Sequence, residues 1–206
     1  MNITVIDPPP FEPVTLAEVY ADLRLTPDEV GSPLEGYSHP DDAMLRAHIQ
    51  AAREFVEVAA RRSLVQQKLR LYEDSFCRRL WLRRPPLIRV DLVSYYDADN
   101  ALQIMDAADW YVTDDLVPEL RLVAFSSPPA TFCRSDAVRV DYTTGYAPSG
   151  SPSSEQADFV GNIPQSLRQA VLLGVRLLYD NLSPADRDAT EKAREALIQT
   201  YRMQRV

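Results

Sequence analysis

Cysteine is scarce in this sequence. Cys77 and Cys133 are the only two, far apart and outside any CxxC pair. That excludes a disulfide-dense secreted scaffold and a zinc ribbon. Both read as small packed side chains in a reduced, cytoplasmic setting. Histidine is equally rare. His39 and His48 have no HxxxH or HxH partner, so a metal site would need ligands gathered from distant parts of the chain. Neither GxGxxG nor GxxxxGK[ST] occurs, so no nucleotide cradle is indicated. No apolar run is long enough to cross a membrane. Residues 1–10 lack the basic-then-apolar pattern of a signal peptide. A surplus of positive charge is missing too. The formal net charge is −8, a field that repels nucleic acid unless the cations are sorted onto one face.

What is present describes an ordinary globular chain of 206 residues, 46% hydrophobic and 25% charged, the length of one domain or of a small domain with appendages. Lysine occurs only at 68 and 192; every other basic residue is arginine. Arginine pairs with carboxylates in bidentate, planar fashion and tolerates partial burial. A chain rich in both acids and arginines can therefore be joined to copies of itself. Sixteen prolines against six glycines indicate stiff connections.

Residues 1–14 read as an extended lead-in, because Pro8-Pro9-Pro10 and Pro13 forbid a helix. Thr15-Leu16-Ala17-Glu18 is a capping box that opens a helix over 15–25, with Val14 stapling to Val19. A loop follows at 26–40. Leu45, Ile49, Ala52, Val56 and Ala59 then recur at helical spacing, giving a long helix over 41–62 with acids at its start and Arg61-Arg62 at its end. The period changes to two from residue 64. Alternating segments at 68–72, 80–82, 88–96, 101–105, 110–112, 120–122 and 137–142 predict a small antiparallel sheet or partly closed barrel of about five or six strands. Residues 147–161 read as a mobile Ser/Pro/Gly-rich loop. A second long helix over 164–182 buries Leu167, Ala170, Val171, Gly174, Leu177 and Leu178. Ser183 then caps a charge-dense helical tail, 183–206, whose thin stripe runs from Ala189 or Ala193 to Leu197 and Tyr201. Such a stripe suits docking on another chain. The fold class is α+β, mainly α: a helical core, 15–182, with an inserted β module over 64–146.

Catalytic constellations are sparse. The carboxylate pairs Asp41/Asp42, Asp97/Asp99 and Asp114/Asp115 could in principle run hydrolytic chemistry. The first has a better role at a helix N-terminus, and the others sit in turns where aspartate bonds its own backbone. No residue is assigned as catalytic, cofactor-binding or metal-ligating, and no enzyme is expected. Arg78, Arg79, Arg83 and Arg84 flank Trp81. Cations around an aromatic suit a nucleic-acid-binding module, or equally a subunit interface with acidic neighbours.

Taken in order, five segments resemble the head–tail connector (adaptor) family of long-tailed bacteriophages and related gene transfer agents. They are Thr15–Val19 with Leu23-Arg24-Leu25; Asp41-Asp42 with Ile49, Ala51–Glu54 and Val56-Glu57; Leu82–Pro86 with Val90, Val93 and Tyr95–Asp97; Val138, Val140, Tyr142 and Gly145-Tyr146; and Ile163-Pro164 with Leu167, Ala170-Val171 and Leu178-Tyr179. The loops at 26–40 and 147–161 and the tail beyond Asn181 are longer than the family's usual form. The resemblance implies a structural virion protein of the head–tail neck, assembled in the host cytoplasm. It implies a ring, usually a dodecamer, beneath the portal protein, which extends the channel for packaged double-stranded DNA without sequence-specific binding and carries the stopper or tail-completion protein. No cofactor and no membrane are implied. Within that picture, Arg194, Leu197, Tyr201, Arg202 and Arg205 of the tail are the expected portal contacts. Arg78, Arg79, Trp81, Arg83 and Arg84 are the expected subunit or stopper contacts.

Overall fold

The computed structural model describes residues 2–26, 39–123, 128–146 and 162–203. Most of the loop expected at 26–40, all of that at 147–161, and Arg205 lie outside the described residues. The chain forms two compact units, Met1–Pro10 with Val65–Ala147, and Phe11–Leu64 with Pro148–Val206. The fold is α+β, with helices and two small antiparallel sheets.

Among the described residues, the first unit holds eight strands. β1 (Asn2–Asp7), β2 (Gln67–Glu73), β8 (Val138–Thr144), β4 (Leu87–Tyr96) and β5 (Leu102–Ile104) form a five-stranded sheet in that order. β3 (Arg79–Trp81), β7 (Glu119–Leu122) and β6 (Trp110–Val112) form a three-stranded one. Every alternating segment of the sequence is a strand, but they divide into two sheets rather than one. The lead-in, read as merely extended, supplies β1. Its β-branched run from Ile3 to Ile6 pairs with β2, and Ile3 packs on the core, so the prolines that forbid a helix serve to end a strand. Alternation directs Leu69, Leu71, Val93, Val138, Val140 and Tyr142 of the larger sheet, and Leu80 and Leu120 of the smaller, into a single core. Bulges between Leu87 and Arg89 and between Val90 and Leu92 bend β4.

The second unit is helical: α1 (Leu16–Leu23), α2 (Asp42–Ala60), α3 (Gln165–Tyr179) and α4 (Pro184–Gln199). The capping box of α1 is formed on both sides, and Val14 and Val19 are buried. α2 buries Leu45, Ile49, Ala52, Val56 and, one residue later than its spacing suggested, Ala60. It stops there because Arg61 takes a left-handed conformation, φ 56°, and caps it. Arg62 donates from Nε to the Tyr201 carbonyl at 2.8 Å, so this arginine ties down the chain after α4 instead of facing the α2 dipole. α3 crosses α2 where Gly174 meets Ala52; a Cβ on Gly174 would stand 2.9 Å from that of Ala52. α3 buries Val175, while Leu178, expected inside, is exposed.

Candidate interaction surfaces

Asp41, Asp42, Asp97 and His39, among the residues first suspected of chemistry, make structural hydrogen bonds. Asp42 is buried and accepts from the Tyr20 hydroxyl; Asp41 accepts from Tyr179 Oη at 2.8 Å. Asp97 closes its own turn, accepting from the Asp99 and Ala101 amides at 3.0 Å and from Gln103 at 2.7 Å. Those bonds hold its carboxyl below the usual range, the Ala101 amide first. His39 accepts the Asp41 amide at 3.2 Å on Nδ1. Cys77 and Cys133 are exposed free thiols, not packed side chains, since each lies in an irregular segment between strands. Among the described residues, no group of three or more His, Cys, Asp or Glu could hold a metal ion.

Most arginines are spent inside the chain. On the face of the five-stranded sheet turned away from the core, Arg70 grips the buried Asp141 of the facing strand with Nε at 2.6 Å and Nη2 at 2.8 Å. Asp91 takes Arg89 at 2.6 Å and Thr143 at 2.7 Å. Asp136 is clamped between Arg134 and Arg139, which pull its carboxyl down to about 2, Arg134 most strongly. Both guanidinium groups also lie over the Tyr96 ring, at 3.8 and 4.8 Å. The tyrosine–arginine stack was not evident in sequence; period-two alignment of Tyr72, Arg139, Ser94 and Tyr96 on one face was its only signal.

The arginines around Trp81 stand apart. Leu80 points inward, so Arg79 and Trp81 share the outer face of the three-stranded sheet. Cross-strand pairing sets Arg79 opposite Arg121, and Arg121 opposite Tyr111, while Trp81 faces Glu119. Two arginines directly opposite repel. Glu119 relieves this by holding Arg121 at 2.7–2.8 Å. Arg84 sits at the following corner with φ 58°, and the corner is anchored by Tyr142 Oη donating to the Arg83 carbonyl at 3.0 Å. Burial pushes that hydroxyl well above its ordinary range. Arg78, Arg79, Arg83 and Arg84 have no ion-pair partner among the described residues. Strand pairing thus adds Tyr111, Glu119 and Arg121 to the face that Arg79 and Trp81 share, while Arg78, Arg83 and Arg84 flank it in sequence.

The tail helix α4 is capped as read: Ser183 Oγ accepts from the Asp186 amide at 3.2 Å, with Pro184 in the first turn. Its inward row is rotated from the one expected. Ala189 and Ala193 are exposed; Arg194, Leu197 and Tyr201 are half-buried and Ile198 is buried. Arg194 lies over Phe55 of α2, its guanidinium carbon 3.9 Å from the ring centroid. The Met203 amide donates to the Ala60 carbonyl at 3.1 Å. Of the five expected portal contacts, Arg202 is exposed, Arg194, Leu197 and Tyr201 belong to the row that seats α4, and Arg205 is outside the described residues.

No family model and no curated protein matches the sequence. Solved structures do match its fold. A chain in the neck of an empty gene transfer agent (GTA) particle, computed with C6 symmetry, aligns at a TM-score of 0.73 with 22% identity. A chain in the virion of a native gene transfer agent particle aligns at 0.71 with 20% identity. A chain in the neck of a native particle computed with C12 symmetry aligns at 0.69, again with 20% identity. Each alignment covers 100% of this chain and 97% of the other.

Proposed function

We propose that this chain is a structural subunit of the neck of a phage-like particle. It forms a ring under the portal, extends the DNA channel and offers the platform for the stopper or tail. The observation that carries this reading is end-to-end agreement of fold with chains from gene transfer agent neck structures computed with C6 and C12 symmetry. A ring uses head-to-tail contacts between unlike surfaces that close by rotation. The arginines around Trp81, without a salt bridge among the described residues, offer one such surface on a chain whose net charge is −8. The net negative charge suits a channel through which DNA slides.

The portal contact is assigned to the exposed row of α4 together with Arg202. Cutting away 185–206 would uncover α2 and α3, so point changes are the cleaner test. Lys192→Glu with Arg202→Glu should leave the helical signal intact and weaken portal binding about tenfold or more. Electron microscopy of protein mixed with portal should show a ring on the portal's lower face. A portal that stays bare at saturating protein refutes the reading.

A second reading, nucleic-acid binding by the Arg78–Arg84 segment, is favoured by its four arginines, without a salt bridge among the described residues, around Trp81 and by the exposed Tyr111. It predicts duplex affinity that falls steeply with salt and is lost in Arg78→Glu/Arg79→Glu. Salt-insensitive or absent binding eliminates it.

A further inference from the structure

Besides its buried row, α2 carries Met44, Ala51, Phe55 and Val58 on one stripe. All are exposed, Met44 by 43%, Phe55 by 44% and Val58 by 65%. An apolar stripe of this kind beside a polar rim marks a face that another surface covers. Arg194 lies along it, stacked on Phe55. Its Nε is buried without an acceptor, and no carboxylate pairs with it among the described residues. Burial lowers its proton affinity, with Glu191 and Glu195 pulling the other way. A stacked, half-buried cation lacking its carboxylate, next to an apolar helix face, defines a partner of matching chemistry: an apolar knob with an acid beside it.

The chain itself presents such a knob. The connection from β6 to β7 carries Asp114, Asp115 and Leu116, all exposed, and Leu116 by 72%. Neither acid has an ion-pair partner among the described residues. The base of the connection is fixed. The Thr113 amide donates to the Glu119 carbonyl at 2.9 Å, and the Glu119 amide to Thr113 Oγ1 at 3.1 Å. The tip is thus held ready, which lowers the entropy lost on docking.

We propose that the Asp114–Leu116 tip of one copy docks on α2 of a second copy, with Leu116 against Phe55 and Val58 and a tip carboxylate on Arg194. Because donor and acceptor surfaces differ, the contact is head-to-tail and each copy can give and receive one. The inference deepens the ring reading and rests on it for the need of a self-contact.

The test uses full-length chains carrying Cys77→Ser and Cys133→Ser. One chain adds Val58→Cys, the other Leu116→Cys, and the two are mixed and oxidised. A covalent dimer should form only in the mixture. Replacing Leu116→Cys by Leu102→Cys, exposed on β5, should give none. Arg194→Glu on the Val58→Cys chain should cut the yield about tenfold or more, and Asp114→Arg/Asp115→Arg on the partner should restore it. Rings seen by electron microscopy without the Val58–Leu116 cross-link, or equal cross-linking by the Leu102 control, overturn this contact and leave the ring reading standing. A chain that never self-associates, with portal or without, overturns both.

Discussion

Gly145→Ala should destabilise the β unit by about 3 kcal/mol or more, a large share of a typical domain's stability. Gly145 follows β8 with φ +119°, a conformation that L side chains rarely adopt. The space is also taken. A Cβ there would stand 2.4 Å from the Val65 carbonyl oxygen and 2.6 Å from the Gln66 nitrogen, backbone atoms with no rotamer to yield. Moving Gly145 instead would break the 2.9 Å bond from its amide to the Pro86 carbonyl and disturb Thr144, which pairs with Gln67 on one side and Leu87 on the other. Three strands of the larger sheet therefore feel one methyl group. Gly174→Ala is the milder comparison: its φ is ordinary and its nearest obstacle is the Ala52 Cβ at 2.9 Å, so α2 and α3 must move apart, a smaller cost than a clash with backbone at positive φ. Urea unfolding followed by circular dichroism checks both. A Gly145→Ala midpoint equal to the wild type would mean the turn has another conformation.

What was legible in sequence and what was not separates along a physical line. Period-two runs located β2 to β8, because each strand has one face in the core and the alternation is local. Strand partners are not local. β1 pairs with residues more than sixty positions away, and the row Arg79, Arg121, Tyr111 exists only once β3, β7 and β6 are aligned. The inward row of α4 was misphased for a different reason. A hydropathy reading looks for aliphatic residues, and here an arginine occupies the row, its planar head laid on an aromatic ring. The arginine excess correctly announced pairing with carboxylates, but most of it is internal: Arg70 with Asp141, Arg134 and Arg139 with Asp136, Arg168 with Glu18, Arg176 with Asp22. Among the arginines that no carboxylate holds in the described residues, the informative ones are the group from Arg78 to Arg84, beside an aromatic, and Arg194, stacked on one. Only the structure shows which those are.

Arg53 shows how much one internal arginine carries. It lies on α2, 6% exposed, and donates to Glu57 one turn later at 3.2 Å and to Glu12 at 2.8 Å. Glu57, 2% exposed, also accepts the Leu64 amide at 2.8 Å, so one carboxylate secures both the arginine and the chain beyond α2. Arg53→Met keeps the length of the side chain and removes the cation. Glu57 stays buried without the cation while Glu12 is partly exposed, so the cost belongs at the low end of the roughly 3–5 kcal/mol for breaking a buried pair on one side. The loss should depend on pH with a definite sign. Glu12 already binds its proton more tightly in the fold than in the open chain, chiefly through burial, with Arg53 acting against that tendency. Without Arg53 the folded chain holds the proton more tightly still. A carboxyl raised in the folded state makes the fold less stable above its folded value, and the deficit closes as pH falls through it. The Arg53→Met penalty in urea should therefore be larger at pH 7 than near pH 5, by about 1 kcal/mol for each further tenfold gain in the proton affinity of the folded carboxyl. Adding Glu57→Gln, which retains an acceptor for Leu64 and discards a charge, should recover part of the loss at pH 7. A penalty that is the same at both pH values, and unmoved by Glu57→Gln, would mean that Arg53 stabilises α2 by the packing of its stem rather than by its charge.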